Sequence, residues 1–66
     1  MEIQINHKPF EVGAGASLEE ALAKAGVPAE GVAVAVNNRV VARHDWASTQ
    51  LEEGAKVTVI RAVCGG

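Results

Sequence analysis

The residues of this chain that could do chemistry gather at its end, in "RAVCGG", where Cys64 is followed by Gly65 and Gly66. Elsewhere the candidates are thin. Gly13 and Gly15 lie in "VGAGAS", between a strand-like and a helix-like segment, a setting in which backbone N–H groups can receive phosphate. The third glycine of a dinucleotide fingerprint is missing, with Leu18 in its place, and no P-loop Lys-Ser/Thr pair follows. A turn leading into a helix is the simpler reading. His7 and His44 lack Cys or carboxylate spacing suited to a metal, so they read as solvated loop residues and no metal is assigned. Cys64 could form a mixed disulfide or persulfide if its thiolate were exposed and populated. A free thiol with a pKa near about 8.5 is mostly protonated at neutral pH, which favours a small residue tolerated in a tail. No nucleophile is accompanied by an oriented base, so the chain reads as non-catalytic. Two adjacent glycines at a terminus arise by chance in about one chain in 200. The pair therefore has to be judged by the elements that carry it.

Sixty-six residues allow one domain, 1–66, with a core that is only marginally sufficient. One cysteine excludes an intramolecular disulfide and, with no signal peptide, fits a reducing cytoplasmic compartment. No apolar run approaches the roughly 18–20 residues that cross a bilayer, so no membrane partner is expected. The net charge of −2 with scattered Lys and Arg argues against a nucleic-acid face. One Trp, one Phe and no Tyr leave no platform for stacked bases.

The elements are legible from periodicity. "MEIQIN" alternates, with Met1, Ile3 and Ile5 on one side, and "FEV" resumes the alternation after a turn at "NHKP". Ser17 stands three residues before Glu20, the spacing of a capping box, and Leu18, Ala21, Leu22 and Ala25 form one apolar helical stripe. Glu20 and Lys24 are spaced to pair along the opposite face. Gly26 suits a left-handed helix end, and Pro28 prevents continuation. In "GVAVAVNNRVVA", Val32, Val34 and Val36 alternate with smaller residues, and Asn37-Asn38 is a tight turn before Val40-Val41. "RHDWASTQLEEG" has no sustained period and reads as a loop with at most one helical turn. Trp46 in it is a packing anchor over the sheet edge, and "LEEG" a solvated acidic turn. The last strand is "KVTVIRAV", with Val57 and Val59 on one face and Thr58 and Ile60 on the other. The order β-β-α-β-β-β implies an α+β domain, a mixed sheet with one main helix packed across one face. Ile60, Ala33 and Ala35 then share the face away from the helix, a shallow apolar patch suited to docking a partner.

This order, the motif "VAVAVNNRVVARHDW", the approach "LEEGAKVTVIRAV" and the terminal Gly65-Gly66 together resemble the ThiS family of sulfur carriers. The resemblance spans essentially the whole chain. It implies the ubiquitin-like β-grasp fold and a place in thiamin thiazole biosynthesis. It also implies that Gly66 is the covalent site, with Gly65 and Cys64 in a flexible tail, 62–66, that threads into a partner. Cys64 departs from the pattern, which has a residue such as Ala, Gly or Gln there.

The resemblance further implies a ThiF-like adenylating enzyme that uses ATP and Mg²⁺, a sulfur supply through a cysteine desulfurase, and a ThiG-like thiazole synthase as acceptor. The carrier itself is implied to bind no cofactor. An α-carboxylate with a pKa near about 3.5 is ionised and a poor electrophile until activated. Glycine, lacking Cβ, leaves the carbonyl open to approach from several sides. Related readings within the superfamily are a molybdopterin synthase small subunit, a carrier for tRNA thiolation, or a protein modifier joined to lysine through Gly66. A plain binding module with incidental glycines stands outside it.

Overall fold

The structure, a computed structural model, describes residues 1–28 and 30–61. Strands β1 (Glu2–Ile5) and β2 (Lys8–Glu11) form an antiparallel hairpin in which Ile5 faces Lys8. Asn6 and His7 alone make the connection, at φ 51° and 69°. Two successive left-handed residues suit a hairpin because their twist matches that of the strands. The turn is thus tighter than "NHKP" suggests, and Pro9 lies within β2. An edge strand tolerates a proline that cannot donate to a ladder.

Helix α1 (Leu18–Lys24) is closed at both ends by side-chain and backbone chemistry. Ser17 Oγ accepts from Glu20 N–H at 3.1 Å, and Glu20 Oε1 accepts from Ser17 N–H at 3.2 Å. Because the Glu20 carboxylate reaches back to the cap, no ion pair joins it to Lys24, contrary to the spacing argument. At the other end Gly26 takes φ 77°. Its N–H donates to Ala23 C=O at 3.1 Å while Val27 N–H donates to Leu22 C=O at 2.9 Å, the paired bonds of a Schellman stop.

Strands β3 (Val32–Val36) and β4 (Arg39–Val41) form a second hairpin across Asn37 and Asn38, at φ 50° and 69°. A short 3₁₀ turn, Arg43–Asp45, interrupts the following loop. Strand β5 (Lys56–Arg61) then enters the middle of the sheet, whose order is β2-β1-β5-β3-β4. It runs parallel to β1 and antiparallel to β3. The expected continuation of this strand through Ala62 and Val63 lies outside the described residues.

Ile3, Leu18, Val34 and Val57 are the largest fully buried side chains and tie β1, α1, β3 and β5 together. Each contributes roughly 1.5–3 kcal/mol by leaving water, a large share of the margin of so small a domain. The aperiodic loop contributes as well. Trp46, Leu51 and Ala55 are each only 4% exposed. Trp46 Nε1 donates to Val41 C=O at 3.0 Å, and Leu51 N–H donates to Ala16 C=O at 3.0 Å. Trp46 is therefore part of the core and not only a cover for the sheet edge. No helix among the described residues is long and apolar enough to cross a membrane.

Candidate functional site

The outer face of the sheet is built by register. Ala33 stands opposite Ile60, Ala35 opposite Thr58, and Ala35 also opposite Val40. Residues directly opposite across a ladder point to the same side. With Val34 and Val57 in the core, Ala33, Ala35, Ile60 and Val40 must lie on the other face. Ile60 is 58% exposed and Val40 79% exposed. The alanines between them keep the floor low, so the β3-β4 side of this face is shallow and apolar. Towards β1 and β2 the same face turns polar, through Lys56, Gln4, Glu2 and Glu11. Sequence reasoning reached Ile60, Ala33 and Ala35 but not Val40. A three-residue strand offers too little alternation to read; the usable signal was Val41 packing inward, which turns its neighbour outward.

Two asparagine side chains fix β5 at the centre of this face. Lys56 N–H donates to Asn37 Oδ1 at 3.0 Å, and Val59 N–H donates to Asn6 Oδ1 at 2.8 Å. The same residues that permit the two tight turns thereby complete the ladders on either side of β5. Their amide oxygens, unlike the φ values, leave no mark in the sequence beyond the residue type. Beyond Arg61 the strand leads towards Cys64, Gly65 and Gly66, which lie outside the described residues.

The remaining sequence candidates stand in turns and at the start of α1. The N–H groups at the start of α1 are all engaged: Leu18 with Thr49 C=O at 2.7 Å, Glu19 with Trp46 C=O at 3.2 Å, and Glu20 with Ser17 Oγ at 3.1 Å. With the Glu20 carboxylate at the cap, "VGAGAS" offers no place for phosphate. His7 and His44 are exposed, and His44 lies 3.6 Å from the Asp45 carboxylate. Ser48 and Thr49 hydroxyls both donate to Asp45 C=O, at 3.1 and 2.7 Å, and so hold a turn. A broad groove of about 580 Å³ runs between α1 and the 3₁₀ turn, lined by Leu22, Ala23, Arg43 and Trp46 among others. Among the described residues no group of three or more His, Cys, Asp or Glu is gathered that could hold a metal ion.

The arrangement is that of known proteins. The sulfur carrier protein ThiS of Escherichia coli K12 is 27% identical over 66 residues, all of both chains. The crystal structure of the thiamine biosynthesis protein ThiS from Geobacter metallireducens superposes with a TM-score of 0.86 at 29% identity, covering both chains fully. The solution structure of a thiamine biosynthesis protein from the same organism gives 0.74 at 29% identity, covering all of this chain and 87% of the other. These likenesses establish the ubiquitin-like β-grasp, a five-stranded mixed sheet with one helix. The family model of the ThiS family matches residues 3–66, and the chain belongs to that family.

Proposed function

We propose that this protein is a sulfur carrier of thiamin biosynthesis and that Gly66 is the residue charged with sulfur. The observation that carries the reading is the reach of the family match, which runs through residue 66 and so includes Gly65-Gly66. The central position of β5 supports it, because the strand that precedes those residues in the chain is itself paired on both sides.

The chemistry follows from what a carboxylate needs. An adenylating enzyme brings ATP and Mg²⁺; the Gly66 carboxylate attacks the α-phosphate, and pyrophosphate leaves. The acyl-adenylate is then open to a persulfide, drawn from cysteine through a desulfurase. Its attack expels AMP and leaves an acyl disulfide, which a thiol cleaves to a C-terminal thiocarboxylate and a new disulfide. The thiocarboxylate delivers its sulfur to thiazole synthase. In this scheme the carrier supplies no catalytic group. It offers a slender end, with Gly65 and Gly66 leaving the reacting carbonyl unobstructed, and a face by which an enzyme recognises it. Val40, Ala35, Ala33 and Ile60 suit that second role, since contiguous exposed apolar residues mark docking surfaces.

The test is the intact mass of the protein recovered from its native host under thiamin limitation. A fraction heavier by the exchange of one oxygen for one sulfur, and absent from a variant lacking Gly66, is the expected result. A single unmodified mass during active thiamin synthesis would overturn the reading. Covalent conjugates to other proteins would replace it with the modifier.

A further inference from the structure

Strands β1 and β5 pair over only two positions, Gln4 with Lys56 and Ile5 with Val57. β1 then turns away at Asn6, while β5 continues to Arg61. Gln4 and Asn6 N–H donate to Ala55 and Val57 C=O, each at 2.9 Å, and Val59 N–H donates to Asn6 Oδ1 at 2.8 Å. Backbone polar groups alternate sides along a strand. Residues 57, 59 and 61 therefore turn theirs towards β1, and residues 56, 58 and 60 theirs towards β3. Lys56 obeys the rule: its C=O receives Asn37 N–H at 2.8 Å and its N–H reaches Asn37 Oδ1. The Asn6 amide thus forms the last rung of the β1 ladder. Past it, the Val59 C=O and the Arg61 N–H and C=O face a position where no described strand stands. Beside that position lies a hollow of about 300 Å³, bounded by Val27, Pro28, Val32 and Val59, with Asn6 and Arg61 also lining it.

We propose that this open stretch of β5 receives an extended strand of the adenylating enzyme, in line with β1 and paired to Val59 and Arg61. The proposal rests on the sulfur-carrier reading. A row of donors and acceptors with no strand partner among the described residues is what the backbone of another strand recognises, with pockets for its alternate side chains. The hollow accepts an apolar side chain, and Arg61 at its margin favours a carboxylate on the incoming segment. Location selects the occupant. Residues 62–66 follow directly, and an enzyme that acts on Gly66 must line the route they take. A second copy of the chain fits poorly, because so few rungs cannot hold a self-association without the further contacts an enzyme supplies.

The experiment compares Arg61→Pro with Arg61→Ala in the full-length carrier. Proline removes the Arg61 N–H, and because position 61 turns away from β3, the β3–β5 ladder loses no bond. Alanine removes the guanidinium and keeps the N–H. Calorimetric titration against the cognate adenylating enzyme with Mg²⁺ and ATP is expected to show Arg61→Pro binding about 3- to 10-fold more weakly than Arg61→Ala. Equal affinities overturn the proposal. Should Arg61→Pro fail to fold, amide exchange in the unaltered carrier decides: the Arg61 amide exchanges freely alone and slows at least about tenfold in the complex. Unchanged exchange overturns the proposal. A carrier that neither binds the enzyme nor gains sulfur would remove the function and the proposal together. A carrier that is charged normally, with both variants binding alike, would remove only the strand pairing.

Discussion

Replacing Ile60 with alanine isolates the role of the outer face. Ile60 is 58% exposed on the outer face, whereas its neighbours in sequence, Val59 and Arg61, turn to the opposite face, Val59 half-buried and Arg61 exposed. Fully burying an isoleucine is worth roughly 1.5–3 kcal/mol, so the exposed share still available to a partner is about 0.9–1.7 kcal/mol. If docking covers that share, Ile60→Ala raises the Kd for the adenylating enzyme by about 5- to 20-fold. Ile60→Asp raises it further, because a carboxylate is then desolvated without a partner. The share already buried in the free protein sets the cost to folding at about 1 kcal/mol, within the range of strand propensity alone. Titration calorimetry and urea unfolding of the same preparations separate the two effects. Binding unchanged within about twofold, with the fold intact, would refute the docking role. A loss of stability of roughly 3 kcal/mol or more would instead place Ile60 in the core.

Two further substitutions test the local chemistry. Ser17→Ala removes one half of the capping box and is expected to cost about 1 kcal/mol; for a domain of this size that lowers Tm by about 4–8 °C. A Tm unchanged by calorimetry would mean that Glu20 holds the helix start without Ser17. Asn37→Ala puts at φ 50° a residue that tolerates the left-handed region less well than Asn and removes the acceptor for Lys56 N–H, together about 2–3 kcal/mol. Asn37→Gly forfeits only the acceptor and is expected to cost less than half as much in urea unfolding. Equal losses would show that the hydrogen bond, and not the turn, carries the stability.

Local signals were sufficient for the hairpins and the helix. Alternation placed Ile3, Val34 and Val57 inward, and the Ser17-Glu20 spacing with Gly26 marked both ends of α1. The Ile60, Ala33 and Ala35 grouping followed from the same alternation once the register is known. What period could not supply was long-range. Leu51 and Ala55 are buried although their segment has no repeat, because it is held by contacts such as Leu51 N–H to Ala16 C=O. The short overlap of β1 with β5, and hence the open rungs at Val59 and Arg61, depends on where a turn made early in the chain stands relative to a strand made late. Glu20 shows the limit of spacing rules: one carboxylate satisfied two patterns, the cap and the Lys24 pair, and geometry allowed the cap.

The central place of β5 has a consequence for how the protein comes into being. Both hairpins close through neighbours in sequence, but neither touches the other across the sheet until β5 is inserted between them. Contacts of such long sequence separation form late and slowly. The residues before Lys56 make two unjoined halves, and the five-stranded sheet can assemble only once β5 is available to stand between them. Completion of the fold is thus coupled to delivery of β5: a molecule shortened before Lys56 would keep two hairpins that nothing joins, and every molecule with the complete sheet would bear the strand that precedes Gly65-Gly66.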